Sequence, residues 1–360
     1  MLQELFDRPQ YSLPSAAKSR LLLAELNALT RHHTERCPEY RRLRDTLYSA
    51  RAEATTLSEV PYLPVSLFKT HRLVSVPDTE IFKVLTSSGT TGQQVSRVFL
   101  DRETAYRQTA ALAKIMTSVL GPQRLPMMVL DSPPVVRDRK QFSARGAAAL
   151  GMMTFGYSHF HALDDRMELD VEGLKRFLSR FGREPFLLFG FTFVVWQCFC
   201  RRMLELEIDC SNGILIHGGG WKKLEGEAVS NEGFKQALRH ACGITRVYNF
   251  YGLVEQVGSV FVEGDDGYLH TSNFADVIVR DPTTWEEAPI GTPGVLQVLS
   301  MLPWSYPGHS LLTEDLGVVH GVDDSPSGRR GKYFSVIGRV PNAELRGCSD
   351  TQSLVAAGSR

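Results

Sequence analysis

The stretch LTSSGTTGQ, from Leu85 to Gln93, places six small residues directly after an apolar run. Glycines let a backbone approach a ligand closely, and the N–H groups and hydroxyls of such a loop can surround a phosphate. The loop is not of the GxxxxGK[ST] type, because Gln93 stands where that motif requires a lysine. By composition alone, the loop is either a plain surface turn or a phosphate-binding loop.

The overall composition is that of an ordinary globular protein. The 360 residues include 43% hydrophobic and 22% charged residues, and 40 basic residues balance 40 acidic ones. A zero net charge argues against a general binder of nucleic acids or anionic membranes, although residues 137–145 form a local basic cluster. The N-terminus lacks the apolar core of a signal peptide, and the long apolar run 185–200 is shorter than the ~20 residues of a membrane span. We therefore expect a cytoplasmic protein with no membrane span and no nucleic-acid partner.

The six cysteines do not form a recognisable metal site. None of them is part of a CxxC pair, and the spacing of Cys198 and Cys200 is poor for zinc without a second pair of ligands. Free thiols in a reducing compartment are expected, and Cys198, Cys200, Cys210 and Cys242 lie in apolar or helical contexts typical of a core.

The order of sequence patterns predicts an α/β fold. After a helical start near Ser15, apolar strands alternate with amphipathic helices, which is typical of a mainly parallel sheet. From Asp265 onward, short strands separated by Gly and Pro turns predict an antiparallel β region. We predict a helical N-terminal region (1–60) packed on a main domain (61–349), followed by a flexible tail (350–360).

Three further motifs suggest a nucleotide site. The motif YGLVE follows a predicted strand, so Tyr251 is placed to stack on a base and Glu255 to hold Mg²⁺. Asp315 is predicted in a loop between strands, where its carboxylate can accept both hydroxyls of a ribose. Arg339 is predicted at a strand end, where its guanidinium can bind ribose or phosphate oxygens. Taken singly, the motifs of Glu255 and Asp315 are better explained by a solvated strand end and a hairpin turn, and the alternative for Arg339 is a surface arginine.

Together and in this order, the motifs resemble the adenylate-forming superfamily of acyl-CoA synthetases, peptide-synthetase adenylation domains and luciferases. The YGxxE-like motif has Val254 in place of the common Thr, and Glu314 replaces the Gly of the T-G-D motif. Within the superfamily, the LuxE-type acyl-protein synthetases are the most similar branch. That likeness rests on VPYLPVSLFK (60–69), FGFTF (189–193), HGGGWK (217–222) and GRVPNAELRGCS (338–349).

The resemblance implies ATP and Mg²⁺ as cofactors and a role for each motif residue. Thr90, with the rest of the loop, would hold the β- and γ-phosphates, and Glu255 would be a catalytic residue through its Mg²⁺. Asp315 would bind the ribose, and Arg339 would contact ribose or phosphate. The implied nucleotide-binding residues are Ser87, Ser88, Gly89, Thr90, Thr91, Gly92, Gly218, Gly219, Gly220, Tyr251, Gly252, Asp315 and Arg339.

The acyl group needs an apolar pocket, and the aromatic residues of FGFTF are candidates for it. Alternation of Phe189, Phe191 and Phe193 predicts that they share one face of a strand. The alternative to an acyl pocket is that these aromatic side chains only fill the core. His217 precedes the glycines and either orients a carboxylate or is a histidine satisfied at its strand end. The resemblance makes Cys348 the nucleophile that accepts the acyl group, with Arg346 beside it to lower the pKa of the thiol. The alternative for Cys348 is an inert thiol.

The resemblance implies an enzyme that activates a small carboxylic acid, expected to be fatty, as acyl-AMP. The acyl group would then pass to a thiol of this chain or of a partner, such as an acyl reductase or an acyl carrier protein. Only 21 residues follow Arg339, so the mobile C-terminal domain usual in the superfamily is expected to be absent. Two alternatives stay open: an acyl-CoA ligase of the phenylacetate-CoA ligase kind, and a descendant that binds nucleotide or acyl ligands without catalysis.

Overall fold

The computed structural model describes residues 2–48, 53–87, 94–137, 144–221 and 228–340. Its helices are α1 (Leu2–Asp7), α2 (Ser15–Arg36), α3 (Pro38–Leu47), α4 (Leu67–Thr70), α5 (Arg102–Leu120), α6 (Pro134–Arg137), α7 (Ala144–Met153), α8 (Val171–Phe181), α9 (Thr192–Val194), α10 (Arg201–Met203) and α11 (Asn231–Cys242). A π-helical turn, Val195–Cys200, joins α9 to α10, and 3₁₀ turns cover Leu57–Glu59, Asp78–Glu80 and Val254–Gln256.

The strands follow the apolar runs of the sequence. They are β1 (Leu63–Pro64), β2 (Lys83–Thr86), β3 (Arg97–Leu100), β4 (Leu125–Val129), β5 (Gly156–His161), β6 (Phe186–Phe191), β7 (Gly213–Gly218), β8 (Arg246–Tyr251), β9 (Phe261–Glu263), β10 (Leu269–His270), β11 (Ala275–Arg280), β12 (Gly294–Ser300), β13 (Ser310–Val322) and β14 (Lys332–Arg339).

Contacts divide the chain into two units. Of the described residues, the first unit contains 2–48, 53–85, 96–123 and 248–340, and the second contains 86–87, 94–95, 124–137, 144–221 and 228–247. No helix within the described ranges is long and apolar enough to cross a bilayer. The predicted division into residues 1–60, 61–349 and 350–360 stays a prediction.

The first unit is built on antiparallel strands in the order β11-β12-β13-β14-β10-β9-β8. β1 adds to β13 in parallel, with Leu63 opposite Leu311. This short pairing brings the following turn, α4, to the middle of β13. The core beneath the sheet contains Phe68, Phe261, Tyr306 and Phe334, which are at most 1% exposed.

The second unit has a parallel sheet in the order β7-β6-β4-β5. All residues of β6 and β7 are buried, as expected for parallel strands covered on both faces. Helices begin at side-chain caps: Asp170 accepts from the N–H of Gly173 at the start of α8, and Ser230 from that of Gly233 at the start of α11.

The predicted α/β class is confirmed, with its parallel part followed by an antiparallel part. Two local predictions are wrong. Asp315 lies inside the long strand β13 rather than in a loop, because β12 and β14 pair with both halves of that strand. Phe193 does not share a strand face with Phe189 and Phe191, because β6 ends at Phe191 and the chain turns into α9.

Candidate functional site

Three of the predicted nucleotide-binding side chains meet in the first unit. Asp315 on β13 lies directly opposite Arg339, the last residue of β14, in the antiparallel register. Arg339 Nε lies 3.4 Å from Asp315 Oδ1, and the hydroxyl of Tyr251 donates to Asp315 Oδ2 at 2.7 Å. Burial and the neighbouring Asp315 carboxylate raise the pKa of Tyr251 well above its usual value, so the phenol remains a donor. Asp315 is thereby held from both sides.

Glu314, which replaces the Gly of the T-G-D motif, forms ion pairs with two cationic side chains. Its carboxylate lies 3.7 Å from Lys69 Nζ and 3.8 Å from Arg339 Nη2. Lys69 is the last-turn lysine of α4, which the β1–β13 pairing places over Glu314. The backbone carbonyl of Glu314 also accepts from the N–H of Val340 at 3.0 Å. Sequence reasoning assigned no role to Lys69, although it ends the quoted stretch VPYLPVSLFK.

Glu255 lies in the 3₁₀ turn after β8, only 6% exposed. The turn is anchored by Gln256, whose side-chain amide donates to the carbonyls of Gly308 and Val298. Burial raises the pKa of Glu255, the nearby charge of Glu314 raises it further, and a hydrogen bond from Ser96 opposes both effects. A buried carboxylate near other carboxylates is a site that a cation would stabilise.

Gly252 and Gly308 make room around this turn. A Cβ at Gly252 would lie 3.2 Å from Val260 Cγ1, and one at Gly308 would lie 2.7 Å from the carbonyl oxygen of Glu255. The backbone therefore packs closely at the position where Tyr251 and Glu255 are presented. We name the group Tyr251, Glu255, Glu314, Asp315 and Arg339 the carboxylate cluster.

In the second unit, Phe189 and Phe191 share one face of β6, with ring centroids 6.0 Å apart. Phe191 also contacts the glycine turn, since a Cβ at Gly219 would lie 3.1 Å from its ring. Gly219 has a φ of +80°, a left-handed conformation that favours glycine. Gly218 is buried, whereas Gly219 and Gly220 are exposed.

His217 points to the opposite face of the sheet. It pairs in register with Gly190, which lies between Phe189 and Phe191 on β6, and side chains in register share a face. Its ring packs 4.5 Å from Phe234, next to Trp196 and Trp221. Burial, with a smaller effect of Lys235, lowers the pKa of His217 to about 3, so the ring is neutral. Among the predicted pocket residues, Phe189 and Phe191 are thus brought together and His217 is separated from them.

A buried ion pair stands beside Phe193. Arg145 donates through Nε and Nη2 to the two carboxylate oxygens of Asp131, at 2.6 and 2.5 Å, and both side chains are about 5% exposed or less. The guanidinium carbon of Arg145 lies 5.9 Å from the centroid of Phe193. Asp131 follows β4, so the pair lies at the carboxyl edge of the parallel sheet, where α/β proteins bind ligands. Nothing in the sequence around Arg145 predicts that this arginine pairs with Asp131.

Most of the remaining predicted site residues lie outside the ranges that the structure describes. Ser87 is half-buried after β2, whereas Ser88, Gly89, Thr90, Thr91, Gly92 and Cys348 lie outside the described residues. The five cysteines of the described part are free thiols. Burial raises the pKa of Cys198 to about 11 and that of Cys200 to about 12, which disfavours the reactive thiolate.

A parallel α/β unit and an antiparallel unit carrying the Tyr–Glu, Asp and Arg motifs define an adenylate-forming type of protein. The family model described as "Acyl-protein synthetase, LuxE" matches residues 3–355. The chain belongs to this LuxE family, and the predicted class, a ligase of the acyl-protein synthetase kind, is confirmed.

Individual relatives agree with this assignment. Two curated proteins named long-chain-fatty-acid–luciferin-component ligase, from Aliivibrio fischeri and Vibrio harveyi, are each 23% identical, and each match covers 82% of this chain and 78% of the relative. A crystal structure of 2-hydroxyisobutyryl-CoA ligase in an open conformation, with 2-HIB-AMP and CoA, superposes with a TM-score of 0.69. The two sequences are 19% identical, and the match covers 92% of this chain and 77% of the ligase chain. This likeness confirms the predicted fold.

Proposed function

We propose that this protein uses ATP to convert a fatty acid to its acyl-AMP and then passes the acyl group to a thiol. The observation that carries the proposal is the joining of Tyr251, Asp315 and Arg339 in the first unit, because these residues are far apart in sequence and belong to three motifs. The fatty acid is proposed from the two curated relatives, whose names specify a long-chain fatty acid.

The two chemical steps balance as follows. A carboxylate oxygen of the acid attacks the α-phosphorus of ATP, and the bond from that phosphorus to the leaving pyrophosphate breaks. A thiolate then attacks the acyl carbon, and AMP leaves with the electrons of the acyl–oxygen bond. The protein supplies alignment and charge stabilisation for both steps.

In this proposal, Asp315 accepts hydrogen bonds from the ribose hydroxyls, and Arg339 binds ribose or phosphate oxygens. Tyr251 holds Asp315 in place and lies beside the base, and Ser87, Ser88, Thr90 and Thr91 bind the terminal phosphates. Gly218, Gly219 and Gly220 present an open backbone to the adenine. Phe189, Phe191 and Phe193, with His217 behind them, shape the acyl site.

Glu255 is the residue that would hold Mg²⁺. No group of three or more His, Cys, Asp or Glu side chains in the described ranges is arranged around a metal position. A Mg²⁺ ion commonly keeps waters and takes one or two carboxylates together with phosphates, so a single buried Glu255 fits this ion. The bound ion would neutralise phosphate charge.

Exchange of labelled pyrophosphate into ATP tests the first step. We expect exchange to depend on a fatty acid of suitable length in a panel of chain lengths and aromatic acids, and Thr90→Ala to slow it. A folded protein that shows no exchange with any acid, in the presence of Mg²⁺, would eliminate the proposed activation.

Acyl labelling tests the second step. We propose Cys348 as the acceptor in the chain, and the raised thiol pKa values of the half-buried Cys198 and the buried Cys200 argue against these two cysteines as the acceptor. Cys348→Ser should keep pyrophosphate exchange and lose covalent labelling by a radioactive acid, whereas the control Cys198→Ser should keep both. Labelling that survives in Cys348→Ser contradicts the assignment, and product formation that requires coenzyme A would indicate the alternative acyl-CoA ligase.

A further inference from the structure

Two hydrogen bonds of one threonine side chain join the end of β6 to the end of β7. Thr192, the first residue after β6, is 6% exposed. Its hydroxyl lies 2.9 Å from Nδ1 of His217 and 3.2 Å from the carbonyl oxygen of Gly218, the last residue of β7. One threonine thus bonds two consecutive residues of the neighbouring strand.

The geometry fixes the direction of each hydrogen bond. A threonine hydroxyl has one hydrogen, and the carbonyl of Gly218 can only accept. Thr192 therefore donates to Gly218 and accepts from His217, which must carry its proton on Nδ1. The Nε2 atom of this neutral ring is left as a buried acceptor, and it has no hydrogen-bond partner among the residues that the structure describes. His217 accordingly serves as the donor that orients Thr192.

Two neighbouring residues thus hold two neighbouring glycines from opposite faces of the sheet. The ring of Phe191 lies against Gly219, and the hydroxyl of Thr192 holds Gly218. Beyond them, the chain is exposed at Gly220, where an added Cβ would meet no atom of the described residues within 4 Å. The turn is therefore anchored at its buried end and open at its exposed end.

We propose that Thr192 is a positioning residue for the nucleotide, because it fixes the Gly218–Gly220 backbone against which the adenine ring lies. This inference rests on the proposed function, which gives the glycine turn its ligand. Glycines lose more conformational entropy than other residues when they are ordered. A turn that is ordered before binding lowers the entropy cost of binding. Loss of the Thr192 hydroxyl should therefore weaken the binding of ATP.

Two substitutions separate the hydroxyl from the shape of the side chain. Thr192→Val keeps the shape and removes both hydrogen bonds, and Thr192→Ser keeps the hydroxyl. ATP binding is measured by calorimetry without acid, and KM for ATP and for the acid are measured by pyrophosphate exchange. We expect Thr192→Val to raise Kd and KM for ATP about fivefold while KM for the acid stays within about twofold, as fits the loss of a typical hydrogen bond. Thr192→Ser should remain within about twofold of wild type for all three.

A second variant controls for stability. Thr192→Val alone leaves the Nδ1–H of His217 buried without an acceptor, which destabilises the fold. The double variant Thr192→Val, His217→Leu removes that polar group, so its melting temperature should exceed that of Thr192→Val. It still leaves the Gly218 carbonyl without the threonine, so its Kd for ATP should remain raised.

Each result bears on the inference. Wild-type affinity for ATP in Thr192→Val or in the double variant would overturn the positioning role, and so would a Thr192→Ser protein that binds as weakly as Thr192→Val. A wild-type protein that binds no ATP would remove the proposed function and this inference with it. Normal wild-type binding with unchanged variants would remove the inference alone.

Discussion

The hydroxyl of Tyr251 donates a 2.7 Å hydrogen bond to Oδ2 of Asp315, joining the end of β8 to the middle of β13. Arg339 approaches the other carboxylate oxygen, Oδ1, at 3.4 Å. The orientation of Asp315 is therefore set by two side chains of the chain itself. Such preorganisation is expected where a carboxylate must meet both hydroxyls of a ribose.

The first prediction concerns that hydrogen bond. Tyr251→Phe removes the donor to Asp315 and keeps the aromatic ring. Hydrogen bonds to charged groups contribute about 1.5–3 kcal/mol, so we expect KM for ATP to rise by about tenfold or more, with a smaller change in KM for the acid. The measurement is pyrophosphate exchange at varied ATP.

Tyr248→Phe is the matched control, because Tyr248 lies on the same strand and its hydroxyl also bonds an aspartate, Asp265, at 3.1 Å. That bond is exposed and lies outside the carboxylate cluster, so the control should leave KM for ATP unchanged. Equal effects of the two substitutions would show that Tyr251 acts only on general stability.

The motifs could be recognised in the sequence only as an ordered set, because each of them alone also has an ordinary structural explanation. Asp315 and Arg339 are 24 positions apart in the chain, yet the β13–β14 register makes them direct partners. Sequence patterns place such residues near strand ends but do not give the register of an antiparallel pair. The prediction of a loop at Asp315 failed for this reason, since Thr-Glu-Asp-Leu-Gly in isolation has the composition of a turn.

Contacts between distant segments could not be predicted. The sequence predicts a helical start near Ser15, which is the first residue of α2, but it does not predict that the N–H of Ser15 donates to the carboxylate of Asp323 at 2.9–3.0 Å. Likewise, the pairing of Lys69 with Glu314 depends on β1 joining β13 in parallel. A two-residue strand has too little periodicity to be recognised in a sequence.

The second prediction concerns Glu255 and its titration. Burial raises the pKa of this carboxyl group, and only its ionised form would bind the proposed Mg²⁺. Exchange activity at limiting Mg²⁺ should therefore fall as the pH falls through that raised pKa and recover at higher Mg²⁺. Glu255→Gln should lose most activity and the dependence of ATP affinity on Mg²⁺ at every pH.

Glu286→Gln, at an exposed site of the first unit, is a suitable control and should behave as wild type. If Glu255→Gln keeps a normal Mg²⁺ dependence of ATP binding, the metal is held elsewhere.

The third prediction concerns the buried ion pair of the second unit. Arg145→Met leaves the Asp131 carboxylate buried without its cation, and breaking a buried pair in this way costs about 3–5 kcal/mol. Urea unfolding should detect the loss through tryptophan fluorescence, since Trp196 and Trp221 belong to the same unit. The double variant Asp131→Asn, Arg145→Met should regain part of the stability.

The exposed pair of Arg202 and Glu205, with side chains 54% and 63% exposed, gives the comparison. Arg202→Met should change the free energy of unfolding by less than about 1 kcal/mol, because exposed pairs contribute little. A similar small effect of Arg145→Met would mean that water reaches Asp131.

The fourth prediction concerns acid stability and two stacked histidines of the first unit. His309 is 1% exposed and packs 5.0 Å from His33, and burial lowers the pKa of His309 to about 3 and that of His33 well below its usual value. Nε2 of His309 lies 3.0 Å from the Thr30 hydroxyl, which itself donates to the carbonyl of Leu26. His309 therefore donates to Thr30 and is held neutral.

The sign of the pH dependence follows from these shifts. The unfolded chain binds a proton at each histidine near pH 6.5, whereas the folded chain does so only at much lower pH. The stabilisation is fully present above pH 6.5 and is lost as the pH falls toward 3, at up to about 1.4 kcal/mol per pH unit for each group. The free energy of unfolding, measured in urea between pH 7 and pH 5, should therefore decrease steeply. His309→Leu should flatten that slope by about one proton, with the His33 contribution remaining, whereas His240→Gln on the exposed face of α11 should not change it. A slope in His309→Leu equal to that of wild type would show that the buried histidines do not control acid unfolding and that carboxylates do.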